Sequence, residues 1–297
     1  MLPAAMTRTA TPTRAWQLAR RTLALDARTL VMGVLNVTPD SFSDGGRFFD
    51  LERAVAHAEQ MLAAGADIID VGGESTRPGS EPTSVEEELR RVVPVIEGLA
   101  ALPRAPLVSV DTTKSEVARA ALAAGAEIVN DISALRFDFH VADEAARVGA
   151  GLILMHSRGT PATMQRLPPV PDIFADVTTS LRRSLTMAER RGVARASIVL
   201  DPGIGFGKTF EQNVELLARF ERLNGAFPDL PWLVGTSRKA FIGRLLGDAP
   251  ADARLHGTMA TVTAAILKGA AIVRVHDVRA AVETAKVADA IKQASLT

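Results

Sequence analysis

Ala64-Gly65-Ala66-Asp67-Ile68-Ile69-Asp70 decides the architecture. Gly65 suits the left-handed residue that closes a helix, and the Ala-rich run 51–64 before it supplies that helix. Ile68-Ile69 opens a β-branched run of the kind that fills a buried strand. The same order recurs at Ala124-Gly125-Ala126-Glu127-Ile128-Val129-Asn130, at Val148-Gly149-Ala150-Gly151-Leu152-Ile153-Leu154 and at Lys268-Gly269-Ala270-Ala271-Ile272-Val273-Arg274. A polar residue stands at or just past the end of each run: Asp70, Asn130, His156 and Arg274.

Four further runs have the same character: Leu30–Leu35 ending at Asn36, Leu107–Val110 ending at Asp111, Ile198–Leu200 ending at Asp201, and Trp232–Val234 followed by Thr236 and Ser237. Strands alternating with helices give a parallel sheet. Eight of them predict a closed (β/α)8 TIM barrel, one α/β domain over residues 29–297. The rival is an open doubly wound sheet, which gathers its ligand groups at one switch point. Polar residues ending nearly every strand favour the barrel, whose mouth collects them.

The composition agrees. The chain has 297 residues, 47% of them hydrophobic and 23% charged, as in globular proteins. Lys and Arg number 34 against 34 Asp and Glu, so no overall basic field exists for gripping nucleic acid. There is no cysteine, which excludes disulfides, thiolate catalysis and Cys-ligated metal sites. No apolar run is long enough for a membrane span. The expected class is a soluble cytoplasmic protein. Residues 1–28 read differently: Arg8, Arg14, Arg20, Arg21 and Arg28 face a single acid, Asp26. Such a leader could be a transit peptide, but without an amphipathic pattern it reads better as a partly disordered extension.

Two connections, 37–50 and 73–84, are long for βα loops and rich in Gly, Pro and Ser, the composition of lids and binding loops. Pro202-Gly203-Ile204-Gly205-Phe206-Gly207-Lys208-Thr209 nearly matches a P-loop, but Pro202 takes the place of the first glycine and removes a backbone donor of the kind that cradles phosphate. Asp111, Asn130 and Asp201 end three strands. Each alone could cap the next helix. Together at one mouth they offer carboxylate acceptors flanking an amide, a set suited to a flat heterocycle with an amino-amidine edge. Arg274 and His276 end the eighth strand, where barrels often bind phosphate, while Asp277 reads as the cap of the last helix. Lys239, after the seventh strand, is a candidate point charge for phosphate or a polar ring atom. His57, His140 and His256 read as ordinary helix residues. No histidine pair has zinc spacing. Magnesium carried in with substrate phosphates needs only one or two protein oxygens, and Asn36 could supply one.

The segments Val31-Met32-Gly33-Val34-Leu35-Asn36-Val37-Thr38-Pro39-Asp40-Ser41-Phe42-Ser43-Asp44-Gly45-Gly46 and Gly65-Ala66-Asp67-Ile68-Ile69-Asp70-Val71-Gly72-Gly73-Glu74-Ser75-Thr76-Arg77-Pro78-Gly79 resemble the dihydropteroate synthases. So do Asp111-Thr112 with Lys114, Asn130-Asp131-Ile132-Ser133, Met155-His156, the run Asp201–Lys208, Ser237-Arg238-Lys239 and Arg274–Val278, in order from about residue 30 to the C-terminus. The resemblance implies a magnesium-dependent, homodimeric barrel transferase of folate synthesis. It would join 6-hydroxymethyl-7,8-dihydropterin diphosphate to 4-aminobenzoate. Asp111, Asn130, Asp201 and Lys239 would then hold the pterin, with Ile132 and Met155 against its ring. Asn36 would meet Mg²⁺ and diphosphate, and Arg274 and His276 the phosphates. Thr76, Arg77, Phe206 and Ser237 would shape the aminobenzoate site, over which Asp44 would close. The catalytic set would be Asp44, Arg77, Asp111, Asp201 and Lys239. The sequence departs from the family pattern at Ser157, where Met is common, and in its basic leader. Two other functions fit the same barrel: a pterin-binding methyltransferase, which would not need the first loop's Asp-Ser-Phe-Ser-Asp-Gly-Gly run, and a catalytically silent paralogue.

Overall fold

The structure, a computed structural model, describes residues 14–38, 47–77 and 79–295. The chain enters through a short antiparallel hairpin, β1 (Ala15–Gln17) and β2 (Thr22–Ala24). The βα units follow: β3 (Leu30–Asn36) and α1 (Arg47–Ala63), β4 (Ile68–Gly72) and α2 (Val85–Ala100), β5 (Leu107–Asp111) and α3 (Ser115–Ala124). Next come β6 (Ile128–Asp131) and α4 (His140–Val148), then β7 (Gly151–Met155) and α5 (Ile173–Arg190). β8 (Ile198–Asp201) leads to α6 (Phe210–Ala218) and α7 (Glu221–Ala226), and β9 (Leu233–Val234) to α8 (Ala240–Leu245) and α9 (Leu255–Leu267). β10 (Ile272–Val275) and α10 (Val278–Ala294) complete the order.

β3 to β10 are parallel neighbours in the order β8-β7-β6-β5-β4-β3-β10-β9. A bridge between Leu200 and Trp232, with the Leu200 N–H donating to the Pro231 carbonyl at 3.0 Å, brings the two ends together. The (β/α)8 barrel read from the sequence is the fold. Gly125 and Gly149 follow α3 and α4 with positive φ, as the repeated Gly-Ala signal requires.

Side-chain alternation builds the interior. Val31, Leu35, Ile69, Val71, Val108, Val110 and Val129 point outward and pack with the helices in one large core. Met32, Ile68, Leu107, Ile128, Ile153, Val199, Leu233 and Ile272 point inward and form a second core inside the barrel. Continuing each inward face by two residues from Ile68, Ile128, Val199 and Ile272 gives Asp70, Asn130, Asp201 and Arg274. Two steps of two from Leu107 give Asp111. The polar set therefore stands on an apolar plug, raised toward the C-terminal rim.

Of residues 1–28, read from the sequence as an extension, residues 1–13 lie outside the described residues, and the hairpin packs against the barrel. Trp16, Leu18 and Leu25 belong to the inner core and close the barrel floor. The Trp16 Nε1–H donates to the Ser197 carbonyl at 2.8 Å. A Cβ at position 151 would lie 2.5 Å from Leu18 and 2.8 Å from Trp16, so the close approach needs Gly151. Of the arginines that suggest a leader, Arg8 lies outside the described residues and Arg28 is exposed. Arg20 is exposed, and Arg21 pairs with buried Glu127 at 2.6 Å.

Candidate active site

Seven strands deliver side chains to one rim. Register sets Asn36, Gly72 and Asp111 side by side across β3, β4 and β5, Asp111 beside Asn130 of β6, and Met155 of β7 beside Asp201 of β8. At the centre lies Arg274 of β10. Its Nε donates to Asp70 Oδ2 at 2.6 Å and its Nη2 to Asp111 Oδ2 at 2.7 Å. The Asn130 amide donates to the same Asp70 oxygen at 3.1 Å. Asp70 is fully buried, and its other oxygen, Oδ1, finds no partner among the described residues. None of Asp111, Asn130 and Asp201 is a helix cap, since the cap positions of α3, α4 and α6 are Lys114, Phe139 and Thr209. Instead the three side chains stand at the same mouth, Asp111 beside Asn130 and Asp201 within reach of the Arg274 charge.

Burial pushes the Asp111 carboxyl up to about 7 against the opposing charge of Arg274, and carries Asp201 to about 6 against the hydrogen bond from Gly203 N–H. That bond, 2.6 Å to Asp201 Oδ1, leaves the other oxygen free of this contact. Burial draws Lys239 down to about 8, with repulsion from Arg274 adding to the shift. Its ammonium lies 4.1 Å from the Phe206 ring centre, a cation–π contact. Phe206, Ile132 and Met155 form one small apolar cluster with Met164. The sequence assigned Phe206 to one substrate and the other two to the second; the structure sets all three on one wall.

Arg274, expected to face phosphate, has two of its three nitrogens turned onto carboxylates. His276, the other phosphate candidate, is locked to Ser237. Its backbone N–H donates to Ser237 Oγ at 3.1 Å, and Nδ1 shares a 3.0 Å hydrogen bond with that hydroxyl. Burial and the Arg274 charge lower the His276 imidazole to about 4. The ring is therefore neutral at pH 7, with Nδ1 tied to the Ser237 hydroxyl.

Asp277 stands at the start of α10 but makes no capping bond. Its carboxylate takes the Arg238 guanidinium in a two-pronged pair, 3.1 and 2.6 Å. Asp277 is thus the N-cap residue of α10 by position, as read from the sequence, but its side chain serves Arg238 and not the helix. That pair, and the Thr258 hydroxyl accepting the Arg238 N–H, hold Arg238 in a left-handed turn of φ 59° between Ser237 and Lys239. Lys208, the near-P-loop lysine, is buried and donates to the carbonyls of Gly203 (2.7 Å), Phe206 (3.2 Å) and His156 (3.3 Å). Gly203, with φ 64°, leaves no room for a Cβ, which would sit 1.8 Å from the His156 oxygen. These glycines serve close packing. Ser157 donates to the Ile132 carbonyl at 2.8 Å and accepts from Arg136 at 2.7 Å, so it braces the apolar wall from behind.

Thr76 and exposed Arg77 ride on the loop after β4, which reaches the loop after β7 through a bond from Gly79 N–H to the Pro161 carbonyl (3.1 Å). Asp44 lies outside the described residues. Asn36 Oδ1 stands near the rim, 3.8 Å from where a Cβ on Gly72 would be, as does Asp111 Oδ2. Among the described residues no group of three or more His, Asp or Glu side chains could cage a metal. A hollow of about 380 Å³ beside Arg21, Arg28 and Asp67 lies at the barrel floor and holds none of the site residues.

The family model of pterin binding enzymes matches residues 32–276. The dihydropteroate synthase of Synechocystis is 49% identical over 264 residues, 89% of this chain and 90% of its own. The dihydropteroate synthase of Xanthomonas albilineans, solved with 4-aminobenzoic acid, superposes with a TM-score of 0.86 at 44% identity, covering 94% of this chain and 98% of that one. The same enzyme solved with 7,8-dihydropteroate gives a TM-score of 0.82 at 42% identity over the same shares. The chain therefore belongs to the pterin binding enzymes, among the dihydropteroate synthases.

Proposed function

We propose that the barrel mouth joins 6-hydroxymethyl-7,8-dihydropterin diphosphate to 4-aminobenzoate. The C–O bond to diphosphate breaks, a C–N bond to the arylamine forms, and the amine loses a proton. The observation that carries this reading is the convergence of Asp111, Asn130 and Asp201 from three strands beside the Lys239 and Arg274 cations. A pterin edge is rich in N–H donors. An ionised Asp201, its Oδ1 already fixed by Gly203, meets that edge with its second oxygen. Asn130 complements ring atoms of either polarity, and Ile132, Met155 and Phe206 supply an apolar wall for the ring face.

An arylamine is a weak nucleophile, so early departure of diphosphate eases the reaction. Positive charge then grows on the pterin methylene, and the nearby carboxylates stabilise it without reorganisation. On the phosphate side, His276 meets the diphosphate as a neutral ring, and Arg274 supplies a fixed positive charge. Thr76, Arg77 and Ser237 orient the aminobenzoate, and the loops carrying Asp44 and Arg77 exclude the water that would capture the cation.

Magnesium fits this rim as a visitor with the diphosphate. Asn36 Oδ1 offers one neutral oxygen beside Asp111, which suits an ion that keeps waters and phosphate oxygens as its other ligands. When bound it would neutralise charge on the leaving diphosphate. Diphosphate release from purified protein should require the pterin diphosphate, 4-aminobenzoate and Mg²⁺ together. Release at a similar rate without 4-aminobenzoate would make the chain a hydrolase, and no release at all would make it a silent relative.

We also propose a cytoplasmic homodimer. No described helix is long and apolar enough to cross a membrane. The highly charged pterin diphosphate does not cross membranes unaided, so the enzyme belongs where that substrate is made. Cell fractionation would contradict this by finding the protein outside. For the dimer, Leu267, Val287 and Ile291 are exposed on adjacent α9 and α10. Sedimentation should give twice 31.5 kDa, and Val287→Glu with Ile291→Glu should halve it. A wild-type monomer at micromolar concentration would refute the dimer.

A further inference from the structure

Outside the rim, one cluster of charges is bound up with the loop that carries Thr76 and Arg77. The Lys114 ammonium sits between the carboxylates of Glu74 and Glu88, in contact with both. Glu88 projects from α2 and is wholly buried, while Lys114 and Glu74 are about one-fifth exposed. The other Glu74 oxygen accepts the Thr83 N–H at 3.2 Å. Glu74 thus fastens the beginning of the loop to its end, one residue before Ser84 caps α2. Arg91 of α2 adds a donor to the Gly73 carbonyl at 2.7 Å.

Lys114 also belongs to the pterin side. It stands three residues after Asp111, and its N–H donates to the Thr112 hydroxyl at 3.3 Å. Thr112 in turn donates its N–H to the Asn130 carbonyl at 3.1 Å. One side chain therefore bridges the turn that follows Asp111 and the stem that leads, two residues on, to Thr76. A single cation against two carboxylates leaves the cluster short of positive charge, so removing it would set the carboxylates against each other across the loop stem.

We propose that Lys114 is a positioning residue for the second substrate: by holding Glu74 and Glu88 together it fixes the placement of Thr76 and Arg77 relative to the ring held at Asp111. The proposal rests on the assignment of Thr76 and Arg77 to 4-aminobenzoate. No atom of Lys114 needs to touch substrate. A loop set a fraction of an ångström off its place loses orientation toward one substrate while the seat of the other stays intact.

The test is steady-state kinetics of Lys114→Met, Glu74→Gln and Arg77→Ala, with direct binding of the pterin diphosphate. Lys114→Met should raise KM for 4-aminobenzoate about tenfold and leave pterin diphosphate affinity within about twofold. Glu74→Gln, a milder change that keeps the buried Lys114–Glu88 pair, should move the same KM by about threefold and serves if Lys114→Met does not fold. The charge-neutral combination of Lys114→Met, Glu74→Gln and Glu88→Gln should recover thermal stability without recovering KM. The proposal is overturned if KM returns with stability, or if both substrates weaken alike. It is also overturned if Arg77→Ala raises KM for 4-aminobenzoate while Lys114→Met and Glu74→Gln do not. No effect from any of the three single variants would instead remove the assignment of the loop to that substrate, and the proposal with it.

Discussion

Arg274→Met is expected to lower kcat/KM on the order of a thousandfold and to destabilise the fold by about 3 kcal/mol, the lower end for breaking a buried ion pair. The guanidinium is one-fifth exposed, and its partners are the fully buried Asp70 and the nearly buried Asp111. Methionine fills much of the volume but leaves two carboxylates facing each other inside the barrel. The loss of stability should depend on pH, with a sign that follows from Asp111. Its folded value, about 7, lies above the ordinary 3.8. A carboxyl raised in this way takes up a proton on folding, and that contribution is present in acid and lost as pH rises through 7. Without Arg274 the carboxyl rises further, so at pH 5 parent and variant both hold it protonated, whereas at pH 8 the variant must either take up a proton or bury an unpaired charge where the parent keeps an ion pair. Thermal denaturation should therefore show a larger deficit at pH 8 than at pH 5. An equal deficit at both would mean that Arg274 acts by packing and not by compensating buried charge.

This arrangement explains what could be read from the sequence and what could not. The strands announce themselves because their β-branched runs are buried on both faces, and the glycines that end α3 and α4 need a positive φ wherever they occur. Asp111, Asn130 and Asp201 converge because period-two alternation fixes their side, and parallel strands in a barrel share one rim. Asp70 has the same alternation but escaped the site assignment, since its partnership with Arg274 spans 204 positions and depends on barrel closure. Counting back two residues from Gly72, which lies beside Asp111, would have marked it as inward-facing. The Arg238–Asp277 pair is equally non-local, and the local cue, an acid at a helix start, pointed to a cap. The hairpin was hidden by its charges: Trp16, Leu18, Leu23 and Leu25 alternate properly, but the surrounding arginines suggested a leader. Lys114 was visible only as part of a motif, because nothing in its neighbourhood shows Glu74 and Glu88 folding back on it.

Asp201→Asn should lower kcat/KM by about a hundredfold to a thousandfold at pH 7.5 and should change the shape of the acid limb. The pterin presents N–H groups to this position, and an amide can turn an NH₂ toward them where a carboxylate offers only acceptors. In the parent enzyme two carboxyls must be ionised: Asp111, at about 7, and Asp201, at about 6. As pH falls, kcat/KM should drop about tenfold per unit through the protonation of Asp111, then steepen toward about a hundredfold per unit below pH 6. On the alkaline side Lys239, drawn down to about 8 by burial, loses its charge and sets the other limb. The Asn variant should keep the alkaline limb and the shallow acid slope but lose the steep one. Stability should move the opposite way. Asp201 is raised above 3.8, so its ionisation costs the folded state more as pH climbs through 6. An uncharged Asn, whose oxygen can still accept the Gly203 N–H, should be at least as stable as Asp at pH 8. A variant less active yet no less stable fits a carboxylate kept ionised in a buried place for the ligand's sake. Two results would contradict that account: an unchanged steep limb, or loss of activity and stability together.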